Sequence, residues 1–147
     1  MSVTDFVQQR RDALIAMRRD FHMYPEPAWL EYRSAAKVAD TLISLGYDVA
    51  LGADVLDLDS RMGLPSDEVM KAAMDRAIKE GANPELVEKM GYGKTAIVAT
   101  MKFGGEGPVV AFRVDMDSND VIEAKDDNHV PAKGGFRSCH DKAMHAC

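Results

Sequence analysis

The chain has 147 residues, 46% hydrophobic and 29% charged, which is typical of a globular domain that can bury a core. Its net charge of −6 leaves no basic surface for phosphates, which disfavours nucleic-acid binding. The apolar runs are too short to span a bilayer, and the N-terminus has no apolar signal segment. We therefore expect a cytoplasmic protein whose two cysteines are free, catalytic or metal-bound.

The first third of the sequence predicts two helices and a strand. Apolar spacing predicts a helix that has Thr4 as its N-cap and ends at "YPEP". A second helix is predicted from Glu31 to Leu45, followed by Gly46 and the short strand "YDVAL". A helix, a glycine and a strand in this order form the unit of a layered α/β domain.

Residues 54–93 are predicted to form a helical insert between strands. Ser66 caps one predicted helix, and Asn83 with Pro84 begins a second that ends before Gly91. Two strands should follow, "TAIVATMKF" and "VVAFRVDM". The second is nearly continuously apolar in its first part, as expected of a buried central strand.

Two aspartates stand where this last strand should end. Asp115 and Asp117 lie two residues apart, so they point to the same side if the strand persists. Such a pair can bind or orient a metal, although a solvated acidic loop has the same composition. A calcium loop from Asp115 to Asp126 is a weaker alternative, because Asp120 replaces the required glycine and Asp126 the required glutamate.

The tail "SCHDKAMHAC" carries side chains that suit zinc, namely Cys139, His140, His145 and Cys147. A small metal-binding or interaction module is therefore one hypothesis for the whole chain. The spacing is unfavourable for it, because two adjacent residues rarely both reach one ion. A disulfide between the two cysteines would need an oxidising compartment, and a tail without a metal is the remaining alternative.

Three segments in this order resemble one protein family: "RRDFHMYPEPAWLEYRSA", "FRVDMDSND" and "SC…MHAC". The family is that of the metal-dependent amidohydrolases, which include aminoacylases and indole-acetyl-amino-acid hydrolases. "SRMGLP" and "AIVAT" are most similar to the branch that contains the A-type subunits of p-aminobenzoyl-glutamate hydrolase. The resemblance implies a partial zinc-peptidase-like layered α/β domain, truncated. Residues 1–147 would form the N-terminal part of the catalytic domain, without its remainder and without the dimerisation or lid domain.

The resemblance also implies a reaction. In the family, two divalent metals, zinc or manganese, activate a water that cleaves the amide of an N-acyl amino acid such as p-aminobenzoyl-glutamate. Cys147 matches a metal ligand of the family and Asp117 its metal-site aspartate, a catalytic position. Asp115 is a possible further ligand.

The remaining ligands and the general base lie beyond residue 147 in the family, so we expect this chain alone to be inactive. The resemblance implies a small-molecule substrate and a dimer of the full-length protein, for which a related B-type subunit is one candidate partner. No nucleic-acid or membrane partner is expected.

Overall fold

The computed structural model describes residues 2–145 and shows an α/β architecture, which confirms the predicted fold class. Its helices are α1 (Val3–Gln9), α2 (Arg11–Met23), α3 (Tyr32–Ser44), α4 (Asp67–Lys79), α5 (Pro84–Met90) and α6 (Val130–Lys133). Its strands are β1 (Asp48–Leu51) and β2 (Ile97–Thr100), and two short 3-10 helices, Gly52–Val55 and Leu58–Ser60, follow β1. The chain divides into a central unit, Glu26–Asp117, and a terminal unit that contains the residues up to Pro25 and from Ser118 onward.

The core of the central unit is built around α3. This helix buries small alanine side chains, which allow α4, α5 and β1 to approach its axis closely. The buried residues that the three partners contribute are Leu51, Met70, Ala73, Ala77, Val87 and Met90. The predicted insert thus contains two helices that share the core with α3, while its status as an insertion stays a prediction.

Strands β1 and β2 form an antiparallel pair in which Asp48 lies opposite Thr100 and Leu51 opposite Ile97. Gly52 follows β1 with a φ of +74°, and a Cβ at this position would lie 2.9 Å from the carbonyl oxygen of Lys89. Only glycine combines that conformation with so close an approach, so Gly52 allows the end of β1 to touch the end of α5.

The first turn of α3 is capped by a residue that lies outside the helix. The side chain of Glu31, at the N-cap position, does not cap the helix, but the carboxylate of Glu26 accepts the backbone N–H groups of Arg33 at 3.0 Å and Ser34 at 2.7 Å. Glu26 is completely buried. Burial raises the pKa of this carboxyl, and the two backbone hydrogen bonds and the nearby Arg76 oppose the rise without cancelling it.

The local cap predictions are confirmed in the central unit and wrong at the N-terminus. Ser66 caps α4, Asn83 caps α5 with Pro84 at its first position, and Gly91 ends α5. Ser2, not Thr4, caps α1, because the Ser2 hydroxyl and the Asp5 carboxylate accept each other's backbone N–H groups. The single predicted N-terminal helix is also divided at Arg10 into α1 and α2.

The prediction of a buried central strand over "VVAFRVDM" is wrong for this structure. Residues 109–116 are assigned to no strand, and the exposed fractions of Val109, Phe112 and Val114 are 98%, 91% and 78%. A strand buries its side chains only when other strands and a covering layer lie beside it. Within residues 2–145 no strand pairs with this segment, which explains its exposure.

The exposed segment predicts self-association of the purified chain, because an uncovered apolar stretch of high β-propensity offers backbone and side chains to another copy. Replacing Val110 and Phe112 with lysine should lower the associated fraction seen by sedimentation velocity. The free energy of unfolding should change by no more than about 0.5 kcal/mol, as is usual for exposed sites. Lysines at Val3 and Val130, which are exposed elsewhere, are the matched control and should leave association unchanged.

The cap at Glu26 predicts a large effect on stability. Glu26→Ala leaves two buried N–H groups without an acceptor and should lower the free energy of unfolding by about 2–4 kcal/mol. Glu26→Gln keeps one acceptor oxygen and should lose less. Urea unfolding measures both, and Glu88→Gln on the exposed side of α5 is the control. A Glu26→Ala chain as stable as the wild type would contradict the assignment of the cap.

Candidate functional site

The central unit contains an open pocket of about 390 Å³ at the end of the apolar segment. Both aspartates singled out from the sequence, Asp115 and Asp117, line it and are exposed. The remaining polar lining comes from Glu31, Thr95 and Arg113. Both aspartates of the predicted pair thus line one pocket, although the segment that carries them is not a strand.

Asp115 is already engaged by a neighbouring cation. The Arg113 guanidinium binds it in a two-pronged arrangement, with contacts of 2.6 Å from Nη2 to Oδ1 and 3.1 Å from Nη1 to Oδ2. Both side chains are largely exposed, so solvent screens this ion pair and it contributes little to stability. Any cation that uses Asp115 must compete with Arg113 for it.

Glu31 is a pocket residue that the sequence motifs did not indicate. Its Oε2 accepts a hydrogen bond of 2.7 Å from the Thr95 hydroxyl. Burial raises the pKa of Glu31, the Thr95 hydrogen bond opposes that rise, and the negative charge of Asp117 adds to it. In the sequence, Glu31 is indicated only as the start of a predicted helix. Its hydrogen bond to Thr95 could not be predicted from a local pattern, because Thr95 lies 64 positions away.

The lining of the pocket also includes a residue in an unusual backbone conformation. Trp29 has a φ of +67°, and it is the one non-glycine residue with positive φ in the described part of the chain. Its indole N–H donates a 3.0 Å hydrogen bond to the carbonyl oxygen of Met62. A tryptophan in the left-handed region costs of order 1–3 kcal/mol, so this contact and the local packing must offset the strain.

In the terminal unit, the buried carboxylate of Glu123 accepts hydrogen bonds from three other residues. Its Oε1 accepts from Nε2 of His22 at 2.9 Å and from Nε2 of His129 at 3.0 Å. Its Oε2 accepts the backbone N–H of Ser138 at 2.6 Å. Burial raises the pKa of Glu123, but the hydrogen bonds from His22, Ser138 and His129 outweigh it, and the pKa is lowered overall.

The tail that carries the predicted metal ligands is fixed to the end of α2. The N–H of Cys139 donates to the carbonyl oxygen of Met23 at 2.8 Å, and Nδ1 of His140 donates to the carbonyl oxygen of Pro25 at 2.6 Å. Further along, Met144 exchanges two backbone hydrogen bonds with Asn119. Cys147, the predicted ligand, lies outside the described residues.

The described residues do not form a complete metal centre. Within residues 2–145 no three or more histidine, cysteine, aspartate or glutamate side chains are placed to hold an ion. His22 and His129 each meet Glu123 through the N–H of Nε2, so these two nitrogens have no lone pair for a metal. Among the described residues, neither Cys139, His140 and His145 nor the stretch from Asp115 to Asp126 forms a group of three ligands. The zinc-module alternative also uses Cys147, which lies outside the described residues, so it stays a hypothesis.

Comparison with known proteins identifies the relatives of the chain. It is 44% identical to the A-type component of p-aminobenzoyl-glutamate hydrolase from Escherichia coli K12 and 43% identical to indole-3-acetyl-aspartic acid hydrolase of Enterobacter agglomerans, over 99% of its length. This chain is a homologue of those hydrolases. It spans about a third of their length, 34% and 33%. No family model matches it.

A solved structure supports the same relationship. The crystal structure of an aminobenzoyl-glutamate utilization protein from Klebsiella pneumoniae superposes with a TM-score of 0.79 at 45% identity, over 82% of this chain and 31% of that one. The resemblance stated from the sequence motifs is thereby confirmed, as is the α/β character of the domain. In the described part of the chain no helix is both long and apolar enough to cross a bilayer.

The electrostatic contact between Glu31 and Asp117 predicts opposite effects of two substitutions. Thr95→Val removes the hydrogen bond that stabilises the charged carboxylate and should raise the pKa of Glu31 further. Asp117→Asn removes a neighbouring negative charge and should lower it. Carboxyl-carbon NMR titration of the chain measures both. If Asp117→Asn leaves the titration of Glu31 unchanged, the two carboxylates do not share this pocket.

Proposed function

We propose that this chain is part of a hydrolase that cleaves the amide bond of p-aminobenzoyl-glutamate or a similar N-acyl amino acid. The supporting observation is its 43–44% identity, over 99% of its length, to hydrolases of p-aminobenzoyl-glutamate and indole-3-acetyl-aspartic acid. Both compounds join an aromatic acyl group to an acidic amino acid through an amide. The chain spans only a third of the length of these relatives. The activity proposed here is therefore that of a complete protein of which this chain is a part.

The proposed cofactor is a divalent metal, manganese or zinc, which would lower the pKa of a bound water and polarise the amide carbonyl. Cys147 is the proposed ligand, Asp117 the carboxylate that orients the site, and Asp115 a further possible ligand. The described residues do not fit a metal by themselves, because no group of three ligands is assembled among them. A catalytic step is therefore not assigned to this chain on its own.

The proposed partners follow from the same relationship. The substrate is a small molecule, and the names of the relatives from Escherichia coli and Haemophilus influenzae mark them as one component, of A type, of a hydrolase with several chains. We propose that the complete protein is a dimer, for which a related B-type subunit is one candidate partner, and that it works in the cytoplasm. The acidic net charge of −6 supports the absence of a nucleic-acid partner.

An assay of the purified chain tests whether it acts alone. With p-aminobenzoyl-glutamate and manganese or zinc, release of p-aminobenzoate should not exceed the rate of metal without protein, because no group of three ligands is assembled among residues 2–145. Turnover above that rate would contradict this expectation.

A chimera in which this chain replaces the matching third of the Escherichia coli relative tests the function itself. It should hydrolyse p-aminobenzoyl-glutamate, and Cys147→Ser or Asp117→Ala should lower kcat/KM by at least about a hundredfold. Cys139→Ser and Asp120→Asn are the matched controls and should retain activity. An inactive but folded chimera, or equal losses in the controls, would contradict the proposed site.

A further inference from the structure

Glu123 joins three separate stretches of the terminal unit through one buried carboxylate. His22 comes from the last turn of α2, His129 is the N-cap of α6, and Ser138 opens the tail segment. Glu123 itself is 8% exposed, and both of its oxygens are occupied. A carboxylate in this position satisfies more donors than any neutral side chain of similar size could.

The hydrogen bonds to Glu123 determine which ring nitrogen carries a proton in His22 and in His129. An ionised carboxylate can only accept, so Nε2 of His22 and Nε2 of His129 each carry a proton. On the other side of the buried His22 ring, Nδ1 has no hydrogen-bond partner among the described residues. The buried ring therefore makes one hydrogen bond instead of two, and that bond, to Glu123, restrains its position.

Through its hydrogen bond to the Ser138 amide, Glu123 also restrains the tail. The Ser138 hydroxyl lies 2.9 Å from the carbonyl oxygen of Ala143 and accepts the N–H of His140 at 3.1 Å, which folds the segment back on itself. Directly after Ser138, the N–H of Cys139 reaches the end of α2. Glu123 thus acts at the point where the tail first meets α2.

The geometry points to Glu123 as the positioning residue of segment 138–145, the stretch of chain that leads to Cys147. Its carboxylate accepts the Ser138 amide, which holds the segment. It also accepts His22 from α2 and His129 from the N-cap of α6, which places these two elements beside the segment. Its importance for hydrolysis rests on the proposed function, in which Cys147 binds the metal. Glu123 does not touch substrate or metal in this assignment.

Amide hydrogen exchange on the 147-residue chain tests the positioning directly. Glu123→Gln keeps the shape of the side chain but has one acceptor oxygen, so one of its partners loses its bond. The amide protons of Cys139 and Met144 should exchange at least about tenfold faster, as expected from losing a charge-assisted hydrogen bond. The Ala39 amide in α3 should be unaffected, and Glu106→Gln, an exposed carboxylate, is the control that should change none of them.

The pH dependence gives a readout that loss of packing would not produce. Because the pKa of Glu123 is lowered from its ordinary value of 4.5 in the folded chain, its contribution is present above that value and is lost as the pH falls through the folded pKa. Protection of the Cys139 amide, corrected for intrinsic exchange, should fall over this range in the wild type and stay flat in Glu123→Gln. Wild-type protection of this amide in the variant at both pH extremes would overturn the assignment.

Two further measurements keep the test decisive. If Glu123→Gln does not fold, His129→Ala, whose side chain is 31% exposed, should accelerate the same two amides to a smaller degree, and wild-type rates there would overturn the proposal. Cobalt(II) titration of the metal-free chimera reports the metal separately: Cys147→Ser should abolish the thiolate-to-cobalt absorption, and Glu123→Gln should weaken cobalt binding about tenfold or more. A spectrum unchanged by Cys147→Ser refutes the ligand assignment in the proposed function, while the exchange rates still decide the role of Glu123.

Discussion

The carboxylate of Glu26 at the start of α3 is the interaction on which the central unit depends. A helix begins with N–H groups that have no partner inside the helix, and here a buried side chain five residues before the N-cap residue satisfies two of them. Since α4, α5 and β1 all pack on α3, the position of that one helix sets the position of the others. Two backbone dipoles and the charge of Arg76 offset part of the desolvation cost of the carboxylate.

In the terminal unit, a buried carboxylate also accepts several hydrogen bonds, but from different donors. Its carboxylate, Glu123, gathers two imidazoles and one backbone amide, so that segments far apart in the sequence meet at one point. The motifs that carry the family resemblance include His22 and Met23 in the first segment and Ser138 and Cys139 in the last.

Features that depend on local chemistry could be predicted from the sequence, and features that depend on distant residues could not. Ser66, Asn83 and Pro84 act within one turn of themselves, so their roles followed from type and spacing. The partnership of Glu31 with Thr95 spans 64 positions, and that of His22 with Glu123 spans 101, so no local pattern reveals either. The segment 109–116 has the composition of a buried strand, but burial is decided by neighbours that the described chain does not provide.

Three carboxylates that are buried or partly buried, Glu26, Glu31 and Glu123, are held chiefly by N–H and O–H dipoles and imidazoles instead of lysine or arginine pairs. Contacts of this kind are short-ranged and shielded, so added salt should screen them little. Protons act on them in opposite directions. The raised pKa values of Glu26 and Glu31 mean that the central unit binds protons more readily when folded, whereas the lowered pKa of Glu123 means the reverse. Lowering the pH should therefore weaken the contacts that hold segment 138–145, while Glu26 still caps α3. Acid would thus reduce the order of the terminal unit and leave that of the central unit in place.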